Sequence, residues 1–112
     1  MAKKFIGRFY FKKTSYGNLL GEFSSNSDPK IYTESADITE GKKYETFIGQ
    51  YISTWHAGNS QEVAILKIEP KHETDDNLFS LTWTIGSIDS FYGEAMLCDN
   101  ILIGDYRDFK NN

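Results

Sequence analysis

Apolar and polar residues alternate along most of this chain, with the period of two that is typical of half-buried β-strands. Aromatic and β-branched residues gather in these stretches, and no window of helical length keeps a helical apolar period. We therefore predict eight strands, separated by turn-like clusters, over residues 5–13, 19–24, 30–34, 44–55, 62–69, 78–85, 91–98 and 101–107. Residues 36–43 are the least strand-like segment, and the capping-type residues before Gly41 predict a loop or one helical turn there.

The link between the last two strands fixes their pairing. Asp99 and Asn100 tolerate positive φ and suffice for a two-residue hairpin, which places Cys98 opposite Ile101. Alternation then assigns one face of each strand to the interior, where large rings lie beside glycine and alanine. In the later strands this predicted interior comprises Phe47, Gly49, Tyr51, Ser53, Trp55, Ala64, Leu66, Ile68, Phe79, Leu81, Trp83, Ile85, Phe91, Gly93, Ala95, Leu97, Leu102, Gly104 and Tyr106.

This mixture of rings and small residues suits a strongly curved sheet, because a small residue lets a neighbouring ring or backbone approach closely. An open sheet of short strands would also leave two exposed edges, and closure removes both. A chain of 112 residues is long enough for one core. We therefore predict one all-β domain over residues 1–112, an antiparallel meander of about eight strands forming a closed or nearly closed up-and-down barrel.

The opposite face of the predicted sheet is not cleanly polar. Several large aliphatic residues fall on it, and an exposed apolar patch usually marks a partner surface. We therefore expect a homo-oligomer, most simply a dimer. The alternative, that residues 36–43 fold over this patch, stays open at this point. The residues that form the predicted interface are Ile48, Ile52, Ile65, Met96 and Ile103.

Charge and cysteine content narrow the possible partners and the compartment. Twelve Lys and Arg against sixteen Asp and Glu give a net charge of −4, which argues against a nonspecific nucleic-acid partner. No apolar run has the length of a signal peptide or a membrane span, so we expect no membrane partner. Cys98 is the sole cysteine, which excludes an internal disulfide and favours the reducing cytoplasm.

The residues that usually carry chemistry form no convincing constellation. His56, His72 and Cys98 are too few for a zinc site, and a strand separates the two histidines, so we expect no metal and no cofactor. Cys98 and His72 fall toward one end of the barrel, but a lone strand cysteine is usually a packing residue. Neither a phosphate-binding glycine loop nor a nucleophile elbow occurs. The sequence therefore favours a non-catalytic protein.

One resemblance to a known family adds to this interpretation. The spacing Gly49-x-Tyr51-x-Ser53-x-Trp55, followed by Ala64-x-Leu66-x-Ile68, Phe79-x-Leu81-x-Trp83 and Phe91-x-Gly93-x-Ala95, resembles the strand rhythm of small lipocalin-like and avidin-like barrels of calycin type. It covers roughly the last two thirds of the chain, whereas the Gly-x-Trp opening of lipocalins is only approximated, by Gly7-x-Phe9 and Gly49-x-Tyr51. The resemblance implies a small apolar or aromatic ligand inside the barrel.

The aromatic interior has two interpretations at this stage, a ring-filled core or a ligand cavity. In either case a buried Trp or Tyr needs a partner for its polar atom, and Ser53 or a ligand would supply it. We predict a noncatalytic binding protein, with an interaction module that uses the outer patch as the alternative. The candidate ligand-binding residues are Tyr51, Ser53, Trp55, Phe79, Trp83, Phe91 and Tyr106.

Overall fold

A computed structural model describes residues 6–73 and 75–109, which form eight antiparallel β-strands. Each strand pairs with the next one along the chain, and β1 pairs with β8 to close the barrel. The predicted closed meander is therefore confirmed. Within the described residues there is no helix, and hence none long and apolar enough to cross a membrane. The strands are β1 (Ile6–Lys13), β2 (Leu19–Ser25), β3 (Asp28–Gly41), β4 (Gly49–Ala57), β5 (Ser60–His72), β6 (Asp75–Ile85), β7 (Ile88–Cys98) and β8 (Ile101–Asp108).

β3 is the element that departs most from the prediction, because it runs for 14 residues. The expectation of a loop or helical turn over residues 36–43 is wrong as far as Gly41. Ala36 is buried and pairs with both Leu19 and Ser53, so this segment completes the wall between β2 and β4. Because residues 36–41 belong to the sheet, they do not fold over its outer face, and that alternative is also wrong.

The start of β4 and the β5–β6 link also differ from the prediction. β4 begins at Gly49, although its predicted strand began at residue 44, and Phe47 nevertheless packs into the core from the preceding link. β5 and β6 extend into the segment expected to be a turn, with His72 opposite Asp75. The strands of this hairpin therefore continue beyond the buried part of the sheet, with residues 69–72 exposed.

The β7–β8 hairpin matches the prediction in detail. Asp99 and Asn100 have φ values of 52° and 67°, as the central residues of a type I′ turn require. Cys98 lies opposite Ile101, and the register continues as predicted along both strands. The inward face is therefore correctly assigned.

The two ends of the barrel differ. One end carries the β1–β2, β3–β4, β5–β6 and β7–β8 links, and we call it the closed end. It is filled with fully buried side chains: Phe11, Leu19, Tyr51, Ile68 and Leu102. Lys13 Nζ donates to the Gly17 carbonyl oxygen at 2.9 Å and to the Tyr51 hydroxyl at 3.2 Å. The Tyr51 hydroxyl in turn donates to the Phe47 carbonyl oxygen at 2.8 Å, and burial raises the pKa of Tyr51 to about 12. The opposite end carries the β2–β3, β4–β5 and β6–β7 turns, and we call it the open end.

Candidate functional site

A cavity of about 440 Å³ lies in the barrel at the open end. Its volume falls in the range of about 300–1,000 Å³ that is usual for small-molecule sites. Seven of the lining residues are aromatic, and they come from β1, β2, β3, β4, β6, β7 and β8. The interior is therefore packed at one end and hollow at the other. The lining residues are Phe9, Phe23, Ser25, Ser27, Asp28, Tyr32, Glu34, Trp55, Gly58, Glu62, Trp83, Ile85, Phe91 and Tyr106.

The aromatic rings around the cavity support one another in edge-to-face pairs. Phe23 meets Trp55 and Tyr106 with ring centroids 6.2 Å apart in both cases. Phe91 meets the same two rings from the other side, at 6.3 Å and 5.8 Å. Such contacts stabilise aromatic pairs beyond the area that they bury, by about 0.5–1.5 kcal/mol each. The rings of the wall therefore pack against one another as well as lining the cavity.

The Tyr106 side chain packs directly against Gly7, where a larger residue would leave no room for it. A Cβ atom at Gly7 would lie 2.5 Å from the Tyr106 ring and 1.9 Å from the Ser24 carbonyl oxygen. The Tyr106 hydroxyl donates to this same oxygen at 2.8 Å. Burial, together with the nearby charge of Glu34, raises the pKa of Tyr106. The hydroxyl is thus held as a neutral donor at the wall.

Glu34 supplies the carboxyl group at the base of the cavity. It points inward because alternation along β3 places Tyr32, Glu34, Ala36 and Ile38 on one face, and its side chain is 4% exposed. Its Oε2 atom accepts hydrogen bonds from Trp83 Nε1 at 2.8 Å and from Ser53 Oγ at 2.5 Å. Desolvation raises the pKa of Glu34 to about 7, although both hydrogen bonds oppose that rise.

Two further carboxyl groups lie nearer the mouth of the cavity, on Asp28 and Glu62. Asp28 accepts a hydrogen bond from the Tyr32 hydroxyl, which lowers the pKa of Asp28 and raises that of Tyr32. The described lining residues include no Lys, Arg or His. The cavity is therefore acidic as well as aromatic.

The structure brings together four of the seven candidate ligand-binding residues at this cavity: Trp55, Trp83, Phe91 and Tyr106. Ser53 is fully buried at its base and contacts Glu34. Tyr51 and Phe79 are buried outside the lining, in the packed part of the core. Ser53 or a ligand was expected to partner the polar atom of a buried Trp or Tyr, and Trp83 Nε1 donates to Glu34, which it shares with Ser53.

Four important lining residues were not among the candidates: Phe9, Phe23, Tyr32 and Glu34. The signal for Glu34 was present, since Tyr32-x-Glu34-x-Ala36-x-Ile38 alternates with three apolar inward positions. It was missed because a predicted loop ended the strand just beyond Glu34. With β3 carried on to residue 41, the period of two places this carboxyl inside.

The predicted interface residues remain exposed but do not share one patch. Ile52 and Ile65 lie directly opposite one another on β4 and β5, beside Val63. Met96 and Ile103 form a second pair on β7 and β8. Between the two patches β6 presents Ser80, Thr82 and Thr84 on its outer face. Ile48 is exposed just before β4.

Within residues 6–73 and 75–109, no group of three or more His, Cys, Asp and Glu side chains is placed to hold a metal ion. Cys98 is exposed on the outer face, as its position opposite Ile101 requires. Comparisons with protein-family models, curated proteins and solved structures find no match to this chain. The eight-stranded up-and-down barrel is compatible with a calycin-like fold, and the functional interpretation rests on the geometry of the site.

Proposed function

We propose that this chain is a noncatalytic binding protein of calycin type, which holds a small apolar or aromatic molecule in the cavity at the open end. The observation that carries the proposal is the contrast between the two ends of the same interior. Five fully buried side chains fill the closed end, whereas seven aromatic residues surround about 440 Å³ of space at the other. A barrel that used its rings only as core would be expected to pack both ends.

The energetics of the cavity favour a ligand with a flat apolar surface. Burial of apolar area contributes about 25 cal/mol per Å², so a single ring that loses about 150 Å² of exposed surface gains about 4 kcal/mol. Loss of translational and rotational freedom offsets part of this gain. Because the ring pairs hold the wall in place, little further ordering of side chains is needed. We expect affinities for simple aromatic probes in the micromolar to millimolar range.

Tryptophan fluorescence tests this proposal directly. The chain has two Trp residues, Trp55 and Trp83, and both line the cavity, so their emission reports on this site. Titration with phenethyl alcohol should change the emission in a saturable manner. Phe91→Ala removes one partly buried wall ring and should weaken binding about tenfold, by the loss of about 1–2 kcal/mol of contact.

Tyr16→Ala is the matched control for this experiment, since Tyr16 is an exposed aromatic in the β1–β2 turn. This variant should bind the probe with unchanged affinity. The proposal fails if a panel of aromatic and aliphatic probes leaves the emission unaltered, or if Phe91→Ala and Tyr16→Ala behave alike.

The second candidate function is self-association through the outer face of β4 and β5. Ile52, Val63 and Ile65 are 47%, 49% and 42% exposed, and they adjoin one another across paired strands. An aliphatic patch of this kind gains free energy when a second copy covers it. The proposed compartment remains the cytoplasm, because an exposed free thiol at Cys98 favours a reducing environment.

A further inference from the structure

The charge of the cavity narrows the class of ligand. Glu34 lies at its base, Asp28 and Glu62 lie nearer its mouth, and the described lining contains no Lys, Arg or His to balance them. The faces of the surrounding rings are also negative, and they attract cations placed over them. A net charge of −4 on the whole chain has the same sign. Every electrostatic contribution from the cavity therefore favours a positive ligand.

The Glu34 carboxyl is held in one orientation but is not saturated. Trp83 and Ser53 both donate to its Oε2 atom, from β6 and β4. No donor within residues 6–73 and 75–109 reaches Oε1, although a carboxylate has about four lone-pair sites. Such a carboxyl, fixed by two neighbours and facing a cavity, is well placed to accept a hydrogen bond from a ligand N–H group.

We propose that the ligand of this cavity is a small organic cation, a protonated amine on an apolar or aromatic body, with its ammonium group donating to Glu34 and its body between the rings. This inference rests on the proposed binding function and specifies its ligand class. A buried ion pair is favourable where further hydrogen bonds help to offset the desolvation of its two charges, and Trp83 and Ser53 supply such bonds to Glu34. Trp83 and Ser53 act as positioning residues for the carboxyl.

Three probes of one shape and different charge test the inference: phenethylamine, phenethyl alcohol and phenylacetate. Each is titrated into the full chain above the pKa of Glu34, with Trp fluorescence as the readout. Phenethylamine should bind at least about tenfold more tightly than phenethyl alcohol, because its charged N–H group makes a stronger hydrogen bond to the carboxylate. Phenylacetate should bind most weakly, because it brings a second negative charge to an acidic cavity.

Glu34→Gln keeps the shape of the side chain and removes its charge. In this variant the affinity for phenethylamine should fall at least about tenfold more than the affinity for phenethyl alcohol, so that the preference for the amine disappears. Glu40→Gln removes a carboxyl from an exposed position of the same strand and should leave all three affinities unaltered. Equal losses of amine and alcohol binding in Glu34→Gln would overturn the assignment of the ammonium group to this residue.

The pH profile provides a second measurement that a purely structural role of Glu34 would not produce. Because the amine stays protonated and binds the ionised carboxylate, its affinity should rise about tenfold from one pH unit below the pKa of about 7 to one unit above. The other titratable groups that line the cavity are Tyr32, Tyr106, Asp28 and Glu62. Raised pKa values keep both tyrosines neutral, and a lowered pKa keeps Asp28 ionised. Phenethyl alcohol should show no such rise.

The outcomes separate this inference from the proposed function. If phenethyl alcohol binds at least as tightly as phenethylamine, the cation is the wrong ligand class and the binding function stands. If none of the three probes alters the Trp emission, both proposals are overturned. A tenfold preference for the amine that depends on Glu34 supports both.

Discussion

Glu34 has a measurable consequence for stability as well as for binding. Its pKa rises from 4.5 to about 7 on folding, because burial disfavours the charged form. The folded chain therefore binds this proton more tightly than the unfolded chain, and stability falls as pH rises through the window between these two values. The loss approaches about 3 kcal/mol, at about 1.4 kcal/mol for each pKa unit. Above that window the contribution of Glu34 is constant.

Glu34→Gln should remove this decline, so the variant should be more stable than the parent chain at pH 8 and differ from it least near pH 4.5. Urea unfolding of both proteins across this range measures the difference. Carboxylates with lowered pKa values, such as Asp28 and Glu94, act in the opposite sense at more acidic pH and are common to both proteins. Parallel stability profiles for parent and variant would show that Glu34 titrates normally in the fold.

Single residues were predictable from the sequence where the pattern alone decides their face. Trp55, Trp83 and Tyr106 were placed inside by alternation, and the structure confirms that placement. Glu34 was not, because hydrophobic patterning treats a carboxyl as a mark of the outer face. Its burial depends on two donors, Trp83 and Ser53, that come from distant strands. The pairing with these two donors leaves no local signal in the chain, although the alternation along β3 already indicated an inward position for Glu34.

At the scale of single elements, the β7–β8 turn is the clearest case of a sequence that specifies its own geometry. Asp99 and Asn100 both have positive φ, a conformation that costs most residues about 1–2 kcal/mol. Asn100→Gly should raise the free energy of unfolding by about 0.5 kcal/mol, because Gly adopts this conformation without strain. Asn100→Ala should lower it by about 1 kcal/mol.

Thermal unfolding of the two Asn100 variants and the parent chain checks the expected order of stability, which falls from Gly through Asn to Ala at position 100. Asn59 provides the comparison. It follows Gly58 in the β4–β5 turn, and it is not among the described residues that have a positive φ. There Asn59→Gly should give no gain. If glycine destabilises position 100 as well, the turn does not depend on positive φ.

β3 shows why other elements were less predictable. Its sequence mixes inward residues of very different size and polarity, such as Glu34 and Ala36, and its strand pairing with β2 and β4 is what keeps it extended. A register shift between Ile38 and Glu40 further breaks the pattern near its end. Tertiary pairing thus overrides weak local propensity, as is usual for strands.

At the scale of the whole molecule, the closed barrel was predictable because an open sheet of eight strands would expose two edges. The asymmetry between its ends was not, since packing or cavity depends on how rings from seven strands fit together. Periodicity assigns each ring to a face, but it does not say whether the facing rings meet. Whether the interior is a core or a cavity therefore depends on the three-dimensional fit of the rings.

The outer face of β4 and β5 is the surface through which two copies of the chain would associate. If two copies associate through β4 and β5, Ile65→Lys places a charge at the centre of the contact and should convert a dimer to a monomer in sedimentation experiments. Because Ile65 is 42% exposed, the substitution should leave the barrel folded and its fluorescence response to probes intact.

Met96→Lys is the matched control. Met96 is 51% exposed on the second aliphatic patch, so this variant should leave the dimer unaltered. A parent chain that sediments only as a monomer at high concentration, or a dimer lost through Met96→Lys alone, would contradict association through β4 and β5.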